Sequence, residues 1–310
     1  RGANPKGHIP TPACNGKTAT VKLLLEYGGD PNEGIKCATE KGFADMTLIL
    51  LKFGADPKGM LPAPSLQGNL KIVQYLVEFG ADPNEGLPSS VNGNHTPIVK
   101  YLLENGGIPK NLVFTAADKQ NLDIVKLLCQ YGDAPQPGMQ PACDKNQVEM
   151  LKVLITYKAD ATPFSYILVA VKNNSVEIIN ILIANGSDPN RADTKGYYLL
   201  HLAVKNKNQV ATVKALVDGK ADLQVKTSKA QNTPLHLSCI KGNKNLEVTI
   251  FLVEAGADIN APNKKNKTPL RRTPTLAKKT REFLKEKGAL GKLGKEEPDD
   301  SIDEDELEED

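Results

Sequence analysis

The sequence predicts an all-α solenoid built from about ten stacked pairs of antiparallel helices. Three observations carry that prediction. A turn of the form Gly-x-Asp-Pro begins at Gly2, Gly28, Gly54 and Gly80, recurs in altered form at Gly106, Gly132 and Lys158, and returns at Gly186. A leucine stands four residues before each turn from the second onward: Leu24, Leu50, Leu76, Leu102, Leu128, Leu154, Leu182, Leu216, Leu252 and Leu284. Gly or Asn stands twelve residues before seven of the turns, at Gly16, Gly42, Gly68, Asn94, Asn146, Asn174 and Asn208. The first seven turns are 26 residues apart. Later copies, at Gly186, Lys220, Gly256 and Gly288, follow at spacings of 28, 34, 36 and 32.

Each element of the repeating unit has its own reason. The first helix carries a column of small residues (Ala38, Ser90, Ala116, Ala142, Ala170, Ala203 and Ser238), which lets it approach its neighbours closely. The Gly/Asn column supplies residues that tolerate positive φ, as a tight break between two helices requires. In the second helix the residue after the leucine is apolar in nine of ten copies, with Lys285 the exception. A further apolar residue usually precedes the turn by seven, as at Val21, Val73, Val99, Val125, Leu151, Ile179 and Val213. Positions i, i+3 and i+4 make one stripe of an amphipathic helix. A single pair cannot bury that stripe, but stacked pairs share a continuous core. Such a core is expected to hold a chain with no Trp and 5% aromatic residues.

Residues Asn232–Gly242 read N-T-P-L-H-L-S-C-I-K-G, and Leu252–Asn260 read L-V-E-A-G-A-D-I-N. A looser copy, A-D-T-K-G-Y-Y-L-L-H-L-A, runs from Ala192 to Ala203, and T-P-L-R begins at Thr268. With the period and the columns, these motifs resemble ankyrin repeats over residues 1 to about 289. The resemblance implies a protein-binding fold in which the histidines at His201 and His236 tie loop to helix by hydrogen bonds. It also implies a β-hairpin finger between successive helix pairs of a 33-residue unit. Copies before Phe164 have 26 residues, so they are expected to join through tight turns without fingers. Fingers are expected around Asn190–Tyr197, Ala221–Asn232 and Asp258–Lys267. The expected organisation is therefore short repeats over 1–163, full-length repeats over 164–289 continuous with them, and a disordered acidic tail over 290–310. The last helix pair presents a polar face suited to a cap. Residues Arg1–Gly7 resemble the end of a repeat without its helices, so either the natural chain extends before Arg1 or an irregular cap sits there. By the same resemblance Asn260, with Asn190 and Asn84 as poorer matches, is a candidate for asparaginyl hydroxylation, beside a structural role in its turn.

Charge is divided unequally. Residues 1–289 hold 37 basic and 26 acidic side chains, whereas 290–310 hold two lysines and eleven carboxylates. Such asymmetry speaks to partners rather than to fold. The tail is expected to fold back on the basic body or simply to solubilise it, and Ser301 among its carboxylates resembles an acidophilic-kinase site. No apolar run approaches the ~18 residues of a spanning helix, which argues against a membrane. The opening Arg1-Gly2-Ala3-Asn4-Pro5 shows no signal peptide. Five cysteines (Cys14, Cys37, Cys129, Cys143, Cys239) without CxxC spacing point to reduced thiols and a cytoplasmic setting, with cytoskeletal or nuclear placement left open.

Nothing in the sequence assembles a catalytic set. His8, His95, His201 and His236 lack metal-ligand spacing, and the cysteines fall in or beside helix columns, where they serve as small hydrophobes. The glycine turns follow helices and lack a phosphate-loop signature. The expected function is a non-enzymatic protein–protein interaction or scaffold module, without cofactor, metal or small-molecule substrate. Alternatives are a structural component of a permanent assembly and the regulatory module of a larger protein. Lysines crowd the last third, and the expected contact set is Arg191, Lys195, Tyr197, Lys229, Lys264 and Lys265. The partner would be another protein, acidic or filamentous in character. Nucleic acid is disfavoured, since no aromatic residues are interleaved to stack bases.

Overall fold

The computed structural model describes residues 7–206 and 210–291. The acidic tail with Ser301, the segment before Gly7, and the column position Asn208 lie outside the described residues. Among those described, the fold is an all-α solenoid of twenty helices in ten pairs. The chain divides into two compact units, one ending at Ala161 and the other beginning at Thr162.

The first unit holds α1 (Pro10–Cys14), α2 (Thr18–Glu26), α3 (Asn32–Glu40), α4 (Ala44–Lys52), α5 (Pro62–Gln67) and α6 (Leu70–Glu78). It continues with α7 (Pro83–Asn92), α8 (Thr96–Glu104), α9 (Val113–Asp118), α10 (Leu122–Gln130), α11 (Met139–Asp144) and α12 (Val148–Thr156). The second unit holds α13 (Phe164–Lys172), α14 (Val176–Ala184), α15 (Leu199–Lys205), α16 (Val210–Asp218), α17 (Pro234–Ile240), α18 (Leu246–Glu254), α19 (Pro269–Arg272) and α20 (Lys278–Glu286). Every second helix of a pair is nine residues long, because the same columns bound it in every copy.

Nine of the ten column leucines are fully buried; Leu24, in the first pair, is only half-buried. The column three residues earlier is buried in nine copies, two of them Thr47 and Thr249, which the apolar pattern passed over; the last copy has the half-buried Arg281. Both threonines keep the β-branched shape of valine. Each hydroxyl donates to the carbonyl four residues back, Thr47 to Phe43 at 2.9 Å and Thr249 to Asn245 at 3.0 Å. A buried hydroxyl so satisfied costs little.

The turn has a mechanism. Gly28, in left-handed conformation at φ 88°, donates to Leu25 O at 3.0 Å, and Gly29 donates to Leu24 O at 2.9 Å. This double bond set satisfies the last carbonyls of the helix, and it recurs at the later turns, as at Gly54 and Ala55 or Gly80 and Ala81. An aspartate then accepts from the residue two on, as Asp82 does from Asn84 N (3.0 Å) and Asp258 from Asn260 N (2.9 Å). In six turns the side-chain amide that follows reaches the next repeat and accepts a backbone N–H. Asn32 takes Asp56 N, Asn84 takes Ile108 N, Gln136 takes Asp160 N, Asn190 takes Asp222 N, Gln224 takes Asp258 N, and Asn260 takes Leu290 N. Asn260 also donates to Gly288 O at 3.3 Å.

In the first unit those amides fall at every second turn, and each is followed two residues later by a glycine. A Cβ at Gly34 would stand 2.8 Å from Ile9, one at Gly86 2.6 Å from Ser65, and one at Gly138 2.9 Å from Val113. First helices alternate in step. α3 and α7 have nine and ten residues, and a 3₁₀ turn at Gln136–Gly138 lengthens α11, whereas α1, α5 and α9 have five or six. The 26-residue spacing therefore conceals a structural period of two repeats.

The expectation of five reduced thiols is corrected at one pair. Cys14 ends α1 and Cys37 lies in α3, and the two form a disulfide with Cα atoms 5.2 Å apart. Their separation of 23 residues is nearly one repeat, so stacking brings them face to face without any local motif. Cys129, Cys143 and Cys239 are free and buried.

Lys158 and Lys220 occupy the turn-glycine position and take its left-handed conformation, each at φ 73°. A Cβ there costs about 1–2 kcal/mol, while glycine returns about 0.5–1 kcal/mol of unfolded-state entropy. Lys158→Gly with Lys220→Gly should therefore stabilise the chain by about 1 kcal/mol, read as a higher urea midpoint at unchanged slope. A lower midpoint would show that packing of the lysine stems outweighs the backbone cost.

Candidate functional site

Three hairpin fingers precede α15, α17 and α19, at the places the repeat length predicts. In the first, Asp193 N donates to Tyr197 O at 2.8 Å, and the Asp193 carboxylate accepts from Lys195 N (3.0 Å) and Tyr197 N (2.9 Å). The third repeats this with an amide in place of the acid. There Asn263 N donates to Lys267 O at 3.1 Å, and Asn263 Oδ1 accepts from Lys265 N (3.0 Å) and Lys267 N (2.9 Å). In the second, Thr227 N donates to Asn232 O at 3.0 Å and the Thr227 hydroxyl accepts from Asn232 N at 3.1 Å. Neighbouring fingers are joined. Ser228 Oγ donates to Lys195 O at 3.0 Å, and Lys264 N donates to Ala230 O at 3.1 Å.

Histidines tie the second and third fingers to the first helix of the preceding pair. Thr233 caps α17, and its N–H donates to His236 Nδ1 at 3.2 Å, so Nε2 carries the proton and donates to Lys267 O at 2.9 Å. One repeat earlier Tyr198 N donates to His201 Nδ1 at 3.2 Å, and His201 Nε2 donates to Asn232 O at 3.0 Å. Each imidazole thus spans from the start of its own helix to the end of the next finger. Burial outweighs the backbone carbonyl acceptors and lowers both pKa values to about 4, so the rings are neutral.

The fingers bound a groove of about 420 Å³. Its rim carries Lys195 from the first finger, Lys229 from the second, and Lys264 and Lys265 from the third, with Tyr197 on one wall. Its floor is Leu237 and Ile240, the half-buried face of α17, whose other side buries Leu235 and Cys239. The Lys205 ammonium lies 4.7 Å from the centre of the Tyr197 ring. Five of the six residues singled out in the sequence meet here. Arg191 does not; its guanidinium stacks 5.2 Å from the centre of the Phe164 ring. Lys267, one of the lysines that crowd the last third, is buried at the end of the third finger. Leu237 and Ile240 were missed, although three-residue spacing on the exposed side of α17 is a legible signal.

A second surface went unread. The residue before the turn glycine is aromatic at Tyr27, Phe53, Phe79 and Tyr131, and all four side chains are exposed. Their recurrence at one repeat position sets an apolar row along one edge of the first unit. Among the described residues no group of three or more His, Cys, Asp or Glu could hold a metal ion, and no helix is long and apolar enough to cross a membrane. Burial raises the thiols of Cys129 to about 11 and of Cys143 and Cys239 to about 12, which leaves them protonated and unreactive.

A family model for ankyrin repeats, in three copies, matches residues 167–263. Alpha-latrocrustotoxin-Lt1a of Latrodectus tredecimguttatus is 35% identical over 117 residues, 37% of this chain and 8% of that protein. Palmitoyltransferase AKR1 of Kluyveromyces lactis is 40% identical over 67 residues, 21% of this chain and again 8% of the relative. The chain thus spans under a tenth of either protein. Among solved structures, the ankyrin repeat domain of Bcl-3, a member of the IkappaB protein family, superposes with a TM-score of 0.56 at 22% identity. That match covers 64% of this chain and 97% of that one.

The two neutral histidines give stability a pH dependence. In the unfolded chain imidazole takes a proton below about pH 6.5, while in the folded chain both resist until about 4. The folded state holds full stability above pH 6.5 and loses it as pH falls towards 4, by about 2 kcal/mol per histidine at pH 5. Urea midpoints at pH 7.5 and 5.0 measure this. His201→Asn with His236→Asn should be weaker at pH 7.5 yet lose less on acidification; an equal loss would remove the histidines as the cause.

Proposed function

Residues 167–263 are ankyrin repeats, and on that premise we propose that the chain is a non-enzymatic protein-binding module whose finger groove takes an acidic segment of its partner. Ankyrin repeats serve in general as protein–protein interaction modules, and the finer reading rests on the groove. The carrying observation is the convergence of Lys195, Lys229, Lys264 and Lys265, from three fingers, around an apolar floor. Ammonium groups on a rim steer and orient a carboxylate-rich segment, while Leu237 and Ile240 offer burial to one apolar side chain of it. Hydrogen bonds between the fingers fix the backbones that carry the four lysines beforehand, which lowers the ordering cost of binding.

The test is a fluorescent ten-residue glutamate peptide with one central leucine, titrated against the full chain by anisotropy. Lys195→Glu, Lys229→Glu, Lys264→Glu and Lys265→Glu together should weaken binding at least ~10-fold, and salt should weaken the native complex. Equal affinity for both chains would take the site away from the groove.

A second reading, a structural part of a permanent assembly, draws on the exposed row of Tyr27, Phe53, Phe79 and Tyr131. Apolar contact through that row predicts association that survives high salt. Replacing the four by serine should abolish salt-resistant co-sedimentation with polymerised material from the native source, and retention would reject this reading.

A further inference from the structure

We propose that residues 296–310 of this same chain occupy the finger groove and compete with its partner, an inference that rests on the groove's taking acidic segments. Leu290, one residue before the last described position, is pinned beside the third finger. Leu290 N donates to Asn260 Oδ1 at 2.7 Å, and Leu290 O accepts from the Thr268 hydroxyl at 2.9 Å. Asn260 and Thr268 flank the third finger, the one that carries Lys264 and Lys265 to the rim. The chain is therefore delivered to the base of a groove wall by two hydrogen bonds.

Length and charge fit the same occupant. Successive helix pairs pack 8–10 Å apart, so three fingers span about 20 Å. Residues 296–310 number fifteen and reach up to about 50 Å when extended. They carry eleven carboxylates and no basic residue, against four rim lysines. They also carry Ile302 and Leu307, either of which supplies the apolar side chain that the floor of Leu237 and Ile240 accepts. A segment tethered so near needs little intrinsic affinity, because its effective concentration at the groove is in the millimolar range. A free partner must outcompete it, and salt weakens both contestants.

The experiment uses the full chain with the eleven carboxylates of residues 296–310 converted to the corresponding amides, compared with the native full chain. The probe is the same labelled glutamate peptide, at low salt. The amidated chain should bind it at least ~10-fold more tightly. Equal affinity overturns the inference while leaving the groove reading intact. Binding to neither chain overturns both. Independently, carbodiimide coupling of the native chain should join carboxylates of 296–310 to Lys195, Lys229, Lys264 or Lys265. Coupling spread evenly over lysines of the first unit, such as Lys71 and Lys100, would overturn it as well.

Discussion

The side-chain amide that follows six of the turns, as at Asn84, Asn190 or Asn260, helps to set the distance and register between one helix pair and the next. It accepts a backbone N–H of the following turn, and several also donate to a carbonyl there. Everything larger depends on that link. The turn glycine lets the chain reverse, the aspartate presents the amide, and the amide fixes the neighbour. With the neighbour fixed, the column leucines meet a closed apolar surface and are buried. Regular stacking then places three fingers side by side, and lysines remote in sequence arrive at one rim.

The histidines of the second unit extend this logic from the turns to the fingers. His201 and His236 read two elements at once, the cap of their own helix and the carbonyl that ends the next finger. Finger position is thereby tied to helix position, and the rim lysines sit on a backbone that is held from below. The third finger ends differently. Arg271 stands where a histidine would, and the Thr268 hydroxyl meets the departing chain at Leu290.

Much of this was legible because a repeat prints the same physical demand many times. Leucine four before a turn, a residue tolerant of positive φ twelve before it, and extra length where a finger forms are all local requirements. The finger lysines followed from repeat length read together with the ankyrin resemblance. What escaped notice depended on contacts between repeats. Thr47 and Thr249 look polar until their hydroxyls are seen to bond within the helix. Arg191 looks like a finger cation until Phe164, from a different helix, offers its ring. Lys267 lies two residues from Lys265, yet the hairpin turns one outward and buries the other. The two-repeat period was hidden because helices of five and of nine residues fit the same spacing.

The Cys14–Cys37 bond has a consequence for how order is lost. In a one-dimensional array each unit is held only by its neighbours, so pairs can melt one at a time. A covalent tie between α1 and α3 couples two successive pairs. Those pairs then cannot part from each other, and loss of order in one must draw in the other.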